Sequence, residues 1–151
     1  METPFRFGLE RVREIRAHDE QQAKERFAAS LNERLRAEAV LRAAQERLDD
    51  ARGPGAPAAP VAVSGQTLLA RQAWVDRLQR SREDAQRRLQ GTDEDLRRVR
   101  VELTDASRRR EVLDKLKERQ REAHRQAAER RESAALDEMA LAVHSRRRAA
   151  A

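Results

Sequence analysis

Val75–Leu113 reads VDRLQRSREDAQRRLQGTDEDLRRVRVELTDASRRREVL. Stepping alternately by three and four from Val75 gives Val75, Leu78, Arg82, Ala85, Leu89, Thr92, Leu96, Val99, Leu103, Ala106, Arg110 and Leu113. Most of these are apolar, and the residues between them are almost all Arg, Asp, Glu, Gln or Ser. A seven-residue repeat sustained over this distance predicts a coiled-coil seam. A strand would alternate every second residue, which no stretch here does. The seam therefore belongs to a long helix that must cover its apolar stripe with another helix.

Composition fits that reading. Of 151 residues, 40% are charged and 3% aromatic, with no tyrosine and one tryptophan. The mean hydropathy is −0.97. No thick aromatic core can be built from this. The regular stripe and the abundance of Ala, Leu, Arg, Glu and Gln favour helix over disorder. The net charge of +6 arises from 33 basic residues against 27 acidic ones. These charges are interleaved, as on a solvated helix face laced with ion pairs. The clusters Arg108-Arg109-Arg110 and Arg146-Arg147-Arg148 read as a solvated face and a solvated end.

Outward from the seam, Gly53-Pro54-Gly55-Ala56-Pro57-Ala58-Ala59-Pro60 is the one clear break, because proline cannot continue a helix interior. The predicted organisation is a first coiled-coil helix over 1–52, a Pro/Gly/Ala-rich loop over 53–63, a second helix over 64–145 and a disordered tail over 146–151. Thr3-Pro4 resembles an N-cap followed by proline in the first turn, and Ser64 or Thr67 is placed to cap the second helix. The apolar face expected on the first helix holds Phe5, Leu9, Val12, Ile15, Ala23, Phe27, Leu31, Leu35, Leu41, Ala44, Leu48 and Ala51. The consecutive four-residue steps from Ala23 to Leu35 predict a local loosening of the supercoil.

Folding the chain at the loop puts Ala51 opposite Gln66 and Phe5 opposite Val112, near the end of the strict heptad. The continuation Lys117, Gln120, His124, Ala127, Arg131 is not apolar. The fold class is thus all-α: a long antiparallel two-helix coiled-coil hairpin whose second helix overhangs from about residue 114. That overhang is expected to dock on a partner, since an unpaired helix is marginal in water.

Catalytic chemistry is hard to place on such a chain. His18, His124 and His144 are far apart and read as solvated surface residues. Cysteine is absent, and Gly53 and Gly55 lack a following Gly-Lys-Ser/Thr. No cofactor, metal site or catalytic residue is expected, and the chain is read as a non-enzyme. Specific nucleic-acid binding is not expected, because Trp74 is the only large stacking residue of the second helix and neither half of that helix is purely basic. No membrane-length apolar run or signal-peptide core occurs, so a cytoplasmic location without direct membrane insertion is expected.

Three stretches carry a family resemblance. They are Phe5-Arg6-Phe7-Gly8-Leu9-Glu10-Arg11-Val12 at the opening, Gln72-Ala73-Trp74-Val75-Asp76-Arg77-Leu78 after the loop, and a C-terminal group. The last comprises Leu113-Asp114-Lys115-Leu116-Lys117-Glu118-Arg119-Gln120, Glu129-Arg130-Arg131-Glu132 and Leu136-Asp137-Glu138-Met139-Ala140. Together they resemble the FliJ family, small general chaperones of the bacterial flagellar type III export apparatus. Here the loop is richer in proline and alanine, and Ala51 and His124 stand where larger rings are expected.

The resemblance implies a stalk-like chaperone of flagellum biogenesis and motility that binds the hexameric flagellar export ATPase and the cytoplasmic domain of the membrane export gate. Export substrates or their chaperones are further implied partners, with peripheral association at the inner face of the cell membrane. By position, the ATPase contact falls to Leu116, Lys117, Arg119, Gln120, Arg130, Asp137, Glu138 and Leu141. The gate contact falls to Val40, Leu41, Ala44, Trp74 and Leu78. The alternatives are a stalk protein of a virulence-type III secretion system, or a basic coiled-coil adaptor or nucleic-acid-binding protein.

Overall fold

A computed structural model describes residues 4–53 and 64–149. Among them are two helices, α1 (Glu10–Arg52) and α2 (Gly65–Ala149), packed against each other as an antiparallel all-α hairpin. The predicted Pro-rich loop and Thr3 lie outside the described residues, apart from Gly53, whose N–H donates to the Asp49 carbonyl at the end of α1. Ser64 caps α2: its hydroxyl accepts from the Thr67 N–H at 3.2 Å and lies 2.9 Å from the Thr67 hydroxyl.

Two helix boundaries differ from the expectation. α1 begins at Glu10 and not near Pro4, because Phe5 and Phe7 lay their rings on α2 from a non-helical lead-in. Phe7 is buried, with the Lys117 ammonium 6.0 Å from its ring centre. α2 runs on through Arg146, Arg147 and Arg148 to Ala149, beyond Ser145. Cations in a last turn are favoured by the exposed carbonyls there, so this basic cluster suits a helix end.

The chain divides into two compact units, Met1–Glu20 with Ala106–Ala151, and Gln21–Asp105. In the second, every seam position of α2 from Val75 to Leu103 is buried or half-buried. The α1 seam that meets it is Ala23, Phe27, Ser30, Arg34, Ala37, Leu41, Ala44, Leu48 and Ala51, all buried or half-buried. Leu31 and Leu35, expected inside, are exposed. The heptad does not drift: Ser30 and Arg34 hold the inward positions. Arg34 is tolerated there because its Nε donates to Asp93 at 2.6 Å and its Nη1 to Glu38 at 3.2 Å.

The pairs Arg34–Asp93, Arg26–Glu102 and Arg82–Gln45 fix the register. It sets Ala23 level with Leu103, Ala37 with Leu89 and Leu41 with Ala85. A large residue on one helix meets a small one on the other, which allows close approach of the two backbones. The core is thin: Ala23, Ala44, Leu48, Leu78 and Ala85 are its buried members in this unit.

In the first unit the seam is more polar. Glu10 takes Lys117 at 2.6 Å, Arg13 takes Asp114 at 2.5 Å, and Glu20 takes Arg110 at 2.6 Å. Ser107 adds a hydroxyl hydrogen bond to the Glu20 carboxylate at 3.1 Å. Glu20 is 6% exposed and Ala106 beside it is half-buried. Leu9, Val12 and Ile15, expected to face α2, are exposed.

These contacts correct the predicted register. Phe5 stands beside His124 and not Val112, Arg52 reaches Gln79, and the overhang does not begin at 114. The cause lies in the charges. Sliding a coiled coil by one heptad leaves its seam positions matched to seam positions, so burial hardly discriminates. Such a slide toward the expected pairing would place Ser107 in the place of Asp114 and Gln86 in that of Asp93. The half-buried Arg13 and Arg34 would each lose a carboxylate.

Candidate functional site

No group of three or more His, Cys, Asp or Glu side chains among the described residues is arranged to hold a metal ion. The grooves beside Phe5 and His124 and beside Leu68 and Leu69 are open to solvent on helix surfaces. What the molecule offers is surface, in each unit separately.

In the first unit, pairing closes at a groove lined by Pro4, Phe5, Arg121, His124, Arg125 and Ala128. The Phe5 and His124 rings lie 5.8 Å apart at 58°. His124 is therefore half-buried against an aromatic ring, not a solvated histidine, whereas His18 and His144 are exposed. Nearby, Arg125 binds Glu122 at 2.9 Å, and its guanidinium pulls the Glu122 carboxyl below the ordinary carboxylate range. From Glu129 to Ala149 every residue of α2 is exposed.

The sequence-predicted ATPase set divides across this boundary. Leu116 and Lys117 are half-buried in the paired segment, with Lys117 engaged by Glu10 and Phe7. That ion pair holds the Glu10 carboxyl below the ordinary range, chiefly through the hydrogen bond from Lys117. Arg119 and Gln120 are exposed within the paired segment. Arg130, Asp137, Glu138 and Leu141 lie on the unpaired one.

The unpaired segment also carries a stripe absent from that set. Leu136, Met139 and Val143 are exposed and recur at three- and four-residue steps, with Ala140 between them. The same spacing is present in the sequence.

In the second unit, the gate set is brought together only in part. Ala44 and Leu78 are buried in the seam and Leu41 is half-buried there. Val40 and Trp74 are exposed. Trp74 is half exposed and holds the Arg77 guanidinium 5.9 Å from its ring centre. Beyond the end of α1, the start of α2 exposes Leu68 and Leu69 beside Ala51, Arg52 and Val75. Leu68 lies one heptad before Val75, a spacing visible in the sequence.

A model of the family described as flagellar FliJ protein matches residues 5–149. The chain belongs to the FliJ family. No curated protein matches it, and no solved structure does. FliJ-family membership associates the chain with flagellar protein export. No helix among its described residues is long and apolar enough to cross a membrane.

Proposed function

We propose that this FliJ-family chain is a chaperone and stalk of flagellar protein export, engaging the hexameric export ATPase through its first unit and the export gate through its second. The observation that carries the ATPase half is the unpaired run from Glu129 to Ala149, helical yet exposed throughout. An isolated helix of this length is marginal in water, and its stripe of Leu136, Met139 and Val143 has no cover among the described residues. Arg130, Asp137, Glu138 and Leu141 flank that stripe with mixed charge. Such a surface suits a ring whose contacts change as it cycles. On this reading the protein works in the cytoplasm, peripheral to the membrane through the export apparatus, and hands on export substrates or their chaperones.

The gate half rests on the exposed Val40 and Trp74. Leu41, Ala44 and Leu78 support it from within the seam and do not touch the gate themselves.

Truncation after Ala128 tests the ATPase half. The cut spares Phe5–His124 and every ion pair between α1 and α2 named above. The thermal melt of the hairpin should persist while ATPase binding falls at least tenfold. Replacing Leu136 and Val143 by serine should act the same way, since each side chain contributes about 1.5–3 kcal/mol when fully buried and tenfold in affinity needs about 1.4. Undiminished binding by the truncated chain would refute the assignment.

A further inference from the structure

The two edges of the seam in the first unit are chemically unlike. Along one run the ion pairs Glu10–Lys117, Arg13–Asp114 and Glu20–Arg110. Heptad geometry sets Glu10 and Asp114 on that edge and Val12 and Leu116 on the other. The second edge carries Leu9, Val12 and Ile15 from α1, and Val112 and Leu116 from α2. Ile15 is 53% exposed and Val112 64%, while Leu116 on the same edge is half-buried. The result is an apolar furrow between two helical ridges.

Basic side chains surround it. Arg11 on α1 and Arg108, Arg109, Lys115 and Arg119 on α2 are exposed, and none has an ion-pair partner among the described residues. The nearby acid Asp19 is already held by Arg16 at 3.1 Å. A furrow between two helices accepts the ridge of a third helix. Its basic border selects for carboxylates beside that ridge.

A second copy of this chain would bring arginines against arginines, a like-charge arrangement that opposes association. A nucleic acid would satisfy the guanidiniums but leave Ile15 and Val112 facing sugar and phosphate.

We propose that this furrow binds an amphipathic helix of a partner protein whose apolar stripe is flanked by Asp and Glu, making a local three-helix bundle. The furrow lies wholly in the paired segment, so it survives the cut after Ala128 and does not depend on the ATPase assignment.

Two synthetic helical peptides test it with the full chain. Both carry leucine at the core positions of about three heptads, one with glutamate at the flanks and one with lysine. Methyl NMR of Val12, Ile15 and Val112 reports the site. The glutamate peptide should shift these methyls and bind at least tenfold more tightly than the lysine peptide. The pair Ile15→Ser and Val112→Ser should weaken it at least tenfold with the melting curve unchanged, and Arg109→Glu with Arg119→Glu should reverse the preference. Equal binding of both peptides, or no methyl shift with the glutamate peptide, overturns the proposal. So does perturbation of these methyls by anionic phosphatidylglycerol vesicles with the glutamate peptide unable to compete. Concentration-dependent shifts of the chain without peptide would instead mark the face as a self-contact and overturn it equally.

Discussion

Arg34 occupies a seam position where a coiled coil ordinarily carries leucine, and its guanidinium is two-thirds covered. Asp93 and Glu38 satisfy it, and the bond it donates to Asp93 raises its already high pKa further. Removing one partner of such a pair is worse than removing both. Asp93→Ala should therefore lower the thermal midpoint more than the double change Arg34→Leu with Asp93→Leu, which should melt at or above the parent. A midpoint unmoved by Asp93→Ala would show that the pair carries nothing. Glu10 gives the corresponding pH dependence. Its folded pKa is depressed by Lys117, so its contribution is present at and above the ordinary carboxylate range and is lost as the pH falls through the lower folded value. Carboxyl-carbon NMR should show Glu10 titrating below the same residue in a peptide of residues 4–16. In Lys117→Ala the titration should move back up, with Arg13 at 3.0 Å retaining part of the effect.

At the scale of the element, register is the quantity in question. Cysteine is absent from the chain, so introduced pairs report cleanly. Ala37→Cys with Leu89→Cys should oxidise to a disulfide within the monomer, because these positions are level. Ala37→Cys with Arg82→Cys, the partner after a one-heptad slide, should not. Non-reducing mass spectrometry distinguishes the two, and the reverse result would mean the ion pairs do not set the register. The α2 seam was legible because Val75, Leu89, Leu96 and Leu103 recur at multiples of seven with Leu78, Ala85 and Val99 between them, and all are buried or half-buried. α1 was less so, since an apolar search chose Leu31 and Leu35 over the inward Ser30 and Arg34. No periodicity reveals that an arginine is inward when its partner, Asp93, lies on the other helix. The candidate site suffered from the same displacement. With Phe5 set beside Val112, the unpaired segment seemed to start before Lys117, which in fact lies against Glu10 and Phe7. Leu41, Ala44 and Leu78 entered the gate set because position near a loop says nothing about whether a side chain is spent on the seam.

For the molecule as a whole, the proposed function requires that two surfaces lose their two partners independently. Trp74 and Val40 are both half exposed and belong to the second unit, and the run from Glu129 belongs to the first. Substitution of exposed residues away from buried networks ordinarily changes stability by no more than about 0.5 kcal/mol. Val40→Ser with Trp74→Ser should accordingly leave the melting curve in place, apart from the small loss of the Arg77 contact. Its expected effect is on binding to the cytoplasmic domain of the export gate, reduced at least tenfold, with ATPase binding unchanged. The truncation after Ala128 should give the converse: gate binding kept, ATPase binding lost. Each variant should depress motility in soft agar, and co-expressing the two should not restore it if one chain must hold both partners at once. Restoration would mean that the two contacts serve separate steps performed by different copies. Loss of both bindings in the Val40/Trp74 variant would place the ATPase contact on the second unit and overturn the division of labour.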